Sequence, residues 1–309
     1  MINLRYHVVS LVAVFLALTV GIVMGSTVVD KVTVDALNAR VDEVSRSVRN
    51  AEAENRRLGD RLRSVRDFAD QARDHLSDGH LRGVPVLVVG VTGIDRKPVE
   101  GLRQALVSSE ATLAGTVWFT AKMRLEGEGD TRDLASALGL TPDRPEVVRR
   151  QALDVVAHTL AGDRDTNPLP ALADAGFVVF DAPPDQATAL APALTSLPAA
   201  GLRVVLVSGA GADVADDELA VPLALALGQS SARLVAAEAG RDTPGGRGVF
   251  VGLLRKDTSV GPRISTVDDL ESAGGQAAVV LALADLAAPR TGHYGVGPGA
   301  ERLLPPSQT

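Results

Sequence analysis

Apolar residues fall into three successive patterns along this chain, and each predicts a different element. Up to Asp30 they are nearly continuous: roughly 22 uncharged residues separate His7 from Asp30, about 33 Å as a helix, enough to cross a hydrocarbon core of about 30 Å. From Val34 onward they recur in alternating steps of three and four, the spacing of one helical stripe. From about Leu81 they come as short runs separated by amphipathic stretches and turn residues, which predicts alternating strands and helices.

The first pattern raises a choice between a cleaved secretion signal and a permanent anchor. A signal h-region spans only about 7 to 15 residues, and a small-residue cleavage site follows it; Gly25 and Ser26 offer a weak one. The small residues Ala13, Ala17, Gly21 and Gly25 repeat every fourth position and end in the GxxxG of "GIVMG", a face on which two membrane helices can pack backbone to backbone. In so Ala-rich a chain an accidental spacing is the competing explanation. Arg5 and the amino terminus precede the helix and favour a cytoplasmic N-terminus, although Lys31 and Arg40 follow it.

The second pattern fits a heptad register with Val34, Val41, Val48, Asn55, Leu62, Ala69 and Leu76 at a and Leu37, Val44, Ala51, Leu58, Val65 and Ala72 at d. Sustained over about six heptads, it predicts a coiled-coil stalk of roughly 70 Å. Asn55 at an a position costs stability but favours a parallel dimer in one register. The flanks are less regular: Arg61 at g would face Arg66 at e of a parallel partner, and Gly59 weakens the helix. A single amphipathic helix folded back on its own globular domain remains the alternative. A parallel dimer beginning just after a GxxxG helix is consistent with both elements, which favours a retained anchor.

In the third region, strands are predicted at Val84 to Gly90, Thr116 to Phe119, Phe177 to Phe180, Leu202 to Ser208 and Gly248 to Leu254. Helices are predicted at Pro98 to Ser108, Pro145 to Leu160, Gln186 to Leu197, Pro222 to Leu227 and in "GGQAAVVLALADLAAP", stopped by Pro289. The fold class is α/β: a transmembrane helix, a long coiled-coil helix, then a layered domain with a largely parallel sheet. The predicted divisions are 1–29 for the cytoplasmic N-terminus and anchor, 30–80 for the dimeric stalk, 81–297 for an extracytoplasmic α/β domain and 298–309 for a disordered tail.

Composition narrows the chemistry. The net charge of −7 leaves no basic excess for a general nucleic-acid binder, and without cysteine there is neither a disulfide nor a thiolate ligand or nucleophile. "SGAGADVAD" places glycines after a strand, where dinucleotide-binding folds hold a pyrophosphate, but Val214 stands where the third glycine belongs, so an ordinary turn is favoured. "TPGGRG" (Thr243 to Gly248) could cradle an anion and is equally well a hairpin turn. The acid pairs Asp216/Asp217 and Asp268/Asp269 suit solvated or capping positions, with Ser265 and Asp268 as a loose capping box. The histidines, His7, His75, His80, His158 and His293, form no close metal-spaced pair, and Met1, Met24 and Met123 are scattered. No catalytic, cofactor-binding or metal-ligating residue is assigned. Trp118, in a strand, is expected in the core.

The opening "MINLRYHVVSLVAVFLALTVGIVMGS" and the distal "ISTVDDLESAGGQAAVVLALADLAAPRTGHYGVGPGA" resemble the mycobacterial copper transport protein B family of actinobacteria, the copper transporter family. The resemblance covers anchor, coiled coil and α/β domain. It implies copper homeostasis or efflux, with copper as the only candidate metal and through the resemblance alone. The family has been described as an outer-membrane channel. Corynebacterial relatives imply instead a role in cell division and envelope integrity, with a cytoplasmic-membrane partner and a peptidoglycan hydrolase. A membrane barrel needs at least eight strands of about ten alternating residues, unlike the short runs here. The expected molecule is a single-pass cytoplasmic-membrane protein, N-terminus inside, acting as a homodimeric, non-enzymatic scaffold. Copper handling is the alternative, and a nucleotide-binding enzyme a third reading.

Overall fold

The computed structural model describes residues 4–163, 166–183, 194–197, 200–230, 232–240, 249–257, 263–288 and 290–306, with the side chains of 4, 26–32, 70 and 72–77 outside that description. The chain divides into two compact units, Met1–Val65 and Arg66–Thr309.

The first pattern and the heptad pattern share one helix, α1 (Leu4–Ser77). No proline interrupts it, and apart from Gly21, Gly25 and Gly59 its residues tolerate helical geometry. In the membrane-length segment the Thr19 hydroxyl donates to Phe15 O (2.7 Å), so its polar group needs no water.

The second unit is a three-layer α/β structure. Its elements are β1 (Pro85–Val91), α2 (Arg96–Ser108), β2 (Thr112–Phe119), a 3-10 turn (Ala121–Arg124), α3 (Asp130–Leu138), α4 (Pro145–Ala161), α5 (Leu169–Asp174), β3 (Val178–Asp181), β4 (Arg203–Gly209), α6 (Ala220–Gln229), β5 (Arg233–Ala239), α7 (Val251–Lys256), β6 (Ser265–Val267), α8 (Ala273–Asp285) and β7 (His293–Tyr294). Among the described residues, seven strands form one sheet in the order β3-β2-β1-β4-β5-β6-β7, and every neighbouring pair is parallel except β2 and β3.

Alternation along β1 shows how the layers form. Leu87, Val89 and Val91 join a core with α3, α4, α5, α6 and α7, while Val86 and Val88 join another with α2 and α8. Strands covered on both faces must be apolar throughout, which explains the unbroken run "VLVV". Trp118 is 3% exposed in the second core, as expected; its indole N–H donates to Asp181 Oδ2 (2.7 Å) and the Arg96 guanidinium lies 4.8 Å from the ring centroid.

Several expectations need correction. The strand expected at Gly248 to Leu254 is not found in its described part, which starts at Val249: from Val251 it is α7, because the buried Glu238 carboxylate on β5 accepts from Phe250 N (3.3 Å) and Val251 N (2.8 Å) and fixes a helical start. Ser265 caps nothing and lies in β6, whereas Ser272 caps α8, its hydroxyl accepting from Gly275 N (2.9 Å). The tail is not loose from Pro298: Glu301 N donates to His293 O (2.8 Å), Gly295 N to Arg302 O (3.0 Å), and Leu304 packs on the second core. The "TPGGRG" turn and most of the helix expected at Gln186 to Leu197 lie outside the described residues.

Candidate functional site

The residues singled out in the sequence sort into two surfaces on α1 and three polar centres in the second unit. Arg5–Gly25 is an apolar stretch of 21 residues with none of it buried in the protein, long enough to span a membrane. Ala13, Ala17, Gly21 and Gly25 share one face of it, and a Cβ built on Gly21 or Gly25 meets nothing within 4 Å, so that face is open to close approach by another helix.

Beyond the anchor, α1 carries an exposed apolar seam. Val34, Leu37, Val41, Val44, Val48, Leu58, Leu62 and Val65 are each 50–62% exposed. Ala51 and Asn55 are exposed on the same stripe, Ala69 is half-buried, and the side chains of Ala72 and Leu76 lie outside the described residues. The large aromatic Phe68 is also exposed.

The first polar centre is the glycine turn after β4. Strand order reverses between β1 and β4, the place where open doubly wound sheets take ligands. Here the two loops are bonded to each other. Asp213 N donates to Thr92 O (2.7 Å), Arg124 Nε donates to Asp213 O, and a Cβ on Gly93 (φ 95°) would lie 2.3 Å from Gly211 O. The Asp213 N–H that could face a phosphate is thus already paired with the neighbouring loop, which weighs against the nucleotide reading.

The second centre is acidic. The Ser208 hydroxyl donates to Asp216 Oδ1 (2.5 Å), and Ser208 sits beside Glu238 in the β4–β5 register. Burial pushes the Asp216 carboxyl up to about 6; the Ser208 hydrogen bond partly opposes this, and the nearby Glu238 and Asp217 charges add to it. Asp216 is therefore not the freely solvated acid that its position in "DVADDE" suggests.

The third centre is a clasp that the sequence reading missed. Arg255 on α7 and Asp268 after β6 form an ion pair whose side chains are 5% and 6% exposed. Asp268 also accepts from Val296 N (2.8 Å) and Gly297 N (2.9 Å). Arg255 donates to Tyr294 O (2.8 Å), Pro298 O (3.1 Å) and the Thr266 hydroxyl (2.9 Å). Every polar edge of the pair has a partner, as a buried charge requires. The glycines of "GHYGVGPGA" follow from this geometry: a Cβ on Gly295 or Gly297 would lie 2.1 or 2.6 Å from an Asp268 carboxylate oxygen. The alternate glycines were the available signal; Asp268 lies on the far side of α8 in the sequence, and nothing there pointed to it or to Arg255 as the groups behind them.

His293 belongs to this clasp. Its Nδ1 lies 2.9 Å from the Thr266 hydroxyl, and its pKa is lowered by burial and by the Arg255 charge, with Glu301 opposing. His158 lies on the surface 3.4 Å from Asp163, His7 and His80 are exposed, and Met123 is buried in the first core. Among the described residues, no three His, Cys, Asp or Glu side chains converge on a point where they could hold a metal ion.

Comparison with known proteins bears on all of these elements at once. Residues 1–305 match the family described as "Copper transport outer membrane protein, MctB". The chain is 29% identical over 336 aligned positions to a protein named "Copper transporter MctB" from Mycobacterium tuberculosis (strain ATCC 25618 / H37Rv), covering 97% of this chain and 98% of the relative. A protein of the same name from Mycobacterium leprae (strain TN) is 27% identical, covering 99% and 100%.

Proposed function

Because this chain belongs to the MctB family of copper transport proteins, we propose that it serves copper homeostasis in the cell envelope. It is held in the cytoplasmic membrane by one helix, N-terminus inside, and works as a dimeric, non-enzymatic assembly protein. The observation that carries the copper reading is the extent of the match: residues 1–305 take in the anchor, the heptad segment and the α/β unit together.

Two structural features support an assembly role over a pore lined by this chain's own sheet. The strands of β1 and β4 are buried on both faces, so they present no surface to lipid. The eight exposed Val and Leu side chains of the α1 seam are available for pairing, each worth roughly 1 kcal/mol on burial, enough to hold two helices together. The GxxxG face of the anchor would bring the same two chains side by side.

The resemblance to corynebacterial relatives carries a second reading, a scaffold in cell division that engages a membrane partner and a peptidoglycan hydrolase and affects copper only indirectly; the exposed seam supports the assembly part of either reading. Deleting the chain from its host separates the two. Growth inhibition specific to added copper, with normal cell separation, supports the copper role; chained or misshapen cells with unchanged copper tolerance support the division role and overturn the copper one.

A further inference from the structure

In the second unit, Arg203 opens β4 and Arg233 opens β5, and the two are register partners on neighbouring strands. Their side chains therefore leave the sheet on the same face, the one that α8 covers. Arg203 is 7% exposed, and its Nη1 donates to Leu283 O near the end of α8. That bond fixes the guanidinium but uses only part of its donor set. Nε is buried without a hydrogen-bond partner among the described residues, and Nη2 has none there either. These two nitrogens share one edge of the guanidinium plane, the fork that grips two oxygens of an anion. The exposed Arg233 lies beside that edge: its Nη1 is 3.9 Å from where a Cβ on Gly201 would stand, two residues before Arg203. Neither arginine has a carboxylate within ion-pair distance among the described residues, and Asp285, in the last turn of α8, is taken by Arg290 (3.1 Å). Burial and the Arg233 charge lower the Arg203 pKa. Like charges directly opposite across two strands are destabilising, and a buried guanidinium with an unanswered edge adds to that cost.

We propose that Arg203 and Arg233 form a binding site for a phosphate group at the amino-terminal edge of the sheet, with two phosphate oxygens on the Nε–Nη2 edge of Arg203 and a third on Arg233. The inference goes beyond the copper and assembly readings and rests on neither. A carboxylate has one charge and two oxygens; it would fill the Arg203 fork and leave the Arg233 charge unanswered. A phosphate group has a further charge and a third acceptor oxygen, which match the second guanidinium. The anion also turns the repulsion between register partners into shared attraction, so the arrangement that is costly for the arginines alone becomes favourable with it. Entry is from the Nη2 side, and the exposed Arg233 side chain swings over the anion once it is seated. Inorganic phosphate and the terminal phosphate of a lipid headgroup both supply this chemistry.

The test uses the full chain in an uncharged detergent, titrated calorimetrically with inorganic phosphate, with acetate and with dihexanoyl phosphatidic acid, against sodium chloride of equal ionic strength. The expected result is one phosphate per chain, acetate at least about tenfold weaker, and phosphate weakened about tenfold by Arg233→Gln. Phosphate at about a hundredfold excess over its Kd should raise the urea midpoint of Trp118 fluorescence by roughly 1 M in the wild type and by much less in Arg233→Gln. In phosphate-free buffer Arg233→Gln should itself raise that midpoint, because it removes the repulsion between register partners. Arg203→Gln should abolish binding; should it fail to fold, Arg233→Gln, at an exposed position, decides alone. Phosphatidic acid about tenfold tighter than phosphate assigns the site to a lipid headgroup, and equal affinity assigns it to free phosphate. No saturable binding of either phosphate probe, acetate binding as tightly as both, or binding unchanged by Arg233→Gln overturns the proposal.

Discussion

Replacing Asp268 by Asn tests whether the Arg255–Asp268 pair holds the C-terminal motif. The substitution keeps the shape and removes the charge facing a guanidinium whose side chain is 5% exposed. Leaving one partner of a buried pair uncompensated costs about 3–5 kcal/mol. Asp268 also accepts two backbone N–H groups, from Val296 and Gly297. An amide in its place offers one acceptor, so one N–H loses its partner at a further cost of about 1–3 kcal/mol. With relaxation of the loop a net loss of about 4 kcal/mol is expected, a large share of the 5–15 kcal/mol available to an ordinary domain. Trp118, the chain's only tryptophan, is buried in the second unit, so its fluorescence in urea follows that unit alone in the full-length protein. At a slope of about 2 kcal/mol per molar, the midpoint should fall by about 2 M. Hydrogen exchange should accelerate at Gly295, Glu301 and their neighbours, whose amides close the loop. In a double-mutant cycle with Arg255→Gln, the double variant should be much less destabilised than the sum of the two single ones. A midpoint shift under 0.5 M with unchanged exchange would refute the clasp as the element that holds residues 293–302.

Three further outcomes follow from the same geometry. The Asp216 carboxyl, raised to about 6 from its ordinary 3.8, binds its proton more tightly folded than unfolded; the second unit should therefore lose stability as pH rises from about 4 to 6 and level off above, by at most about 3 kcal/mol. Asp216→Asn should remove that part of the pH dependence and raise the urea midpoint at pH 7.5, and a variant with the wild-type profile would contradict the assignment. Ser272→Ala removes the hydroxyl that accepts from Gly275 N and should cost about 1 kcal/mol, read as a midpoint shift of about 0.5 M, with no change in assembly. Leu37→Glu and Leu58→Glu, combined with Gly21→Leu and Gly25→Leu to close the packing face of the anchor, should lower the solution mass of the full chain in detergent to that of one copy while leaving the Trp118 transition in place; an unchanged mass would show that neither the seam nor the anchor face pairs the chains.

The sequence was most legible where apolar pattern and structure share a cause. β1, β2 and β4 stand out because strands buried on both faces need continuous Val and Leu, α2 and α4 because proline marks their first turns, and α8 because a long apolar run ends at Pro289. β5 was overlooked because "RLVAAEA" is Ala-rich with an acid inside; that acid, Glu238, turned out to be the group that starts α7. β6 and β7, with three and two residues, are too short for any periodicity to show. The clasp was hidden for another reason: Arg255 and Asp268 meet only through tertiary contact, and the glycines that mark the site look like ordinary turn residues until an acid is seen behind them. On α1 the stripe of Val and Leu was plain, because helical spacing alone produces it.

The most direct test of the copper role is the rate at which copper-loaded cells lose the metal to copper-free medium, measured by elemental analysis in a strain lacking this chain and in strains restored with the wild type or with Leu37→Glu/Leu58→Glu. The account predicts slow loss without the chain, normal loss with the wild type, and slow loss with the seam variant even though its second unit stays folded. Equal rates with and without the chain would contradict the copper role, and a seam variant as fast as the wild type would contradict the assembly through which that role is proposed to act.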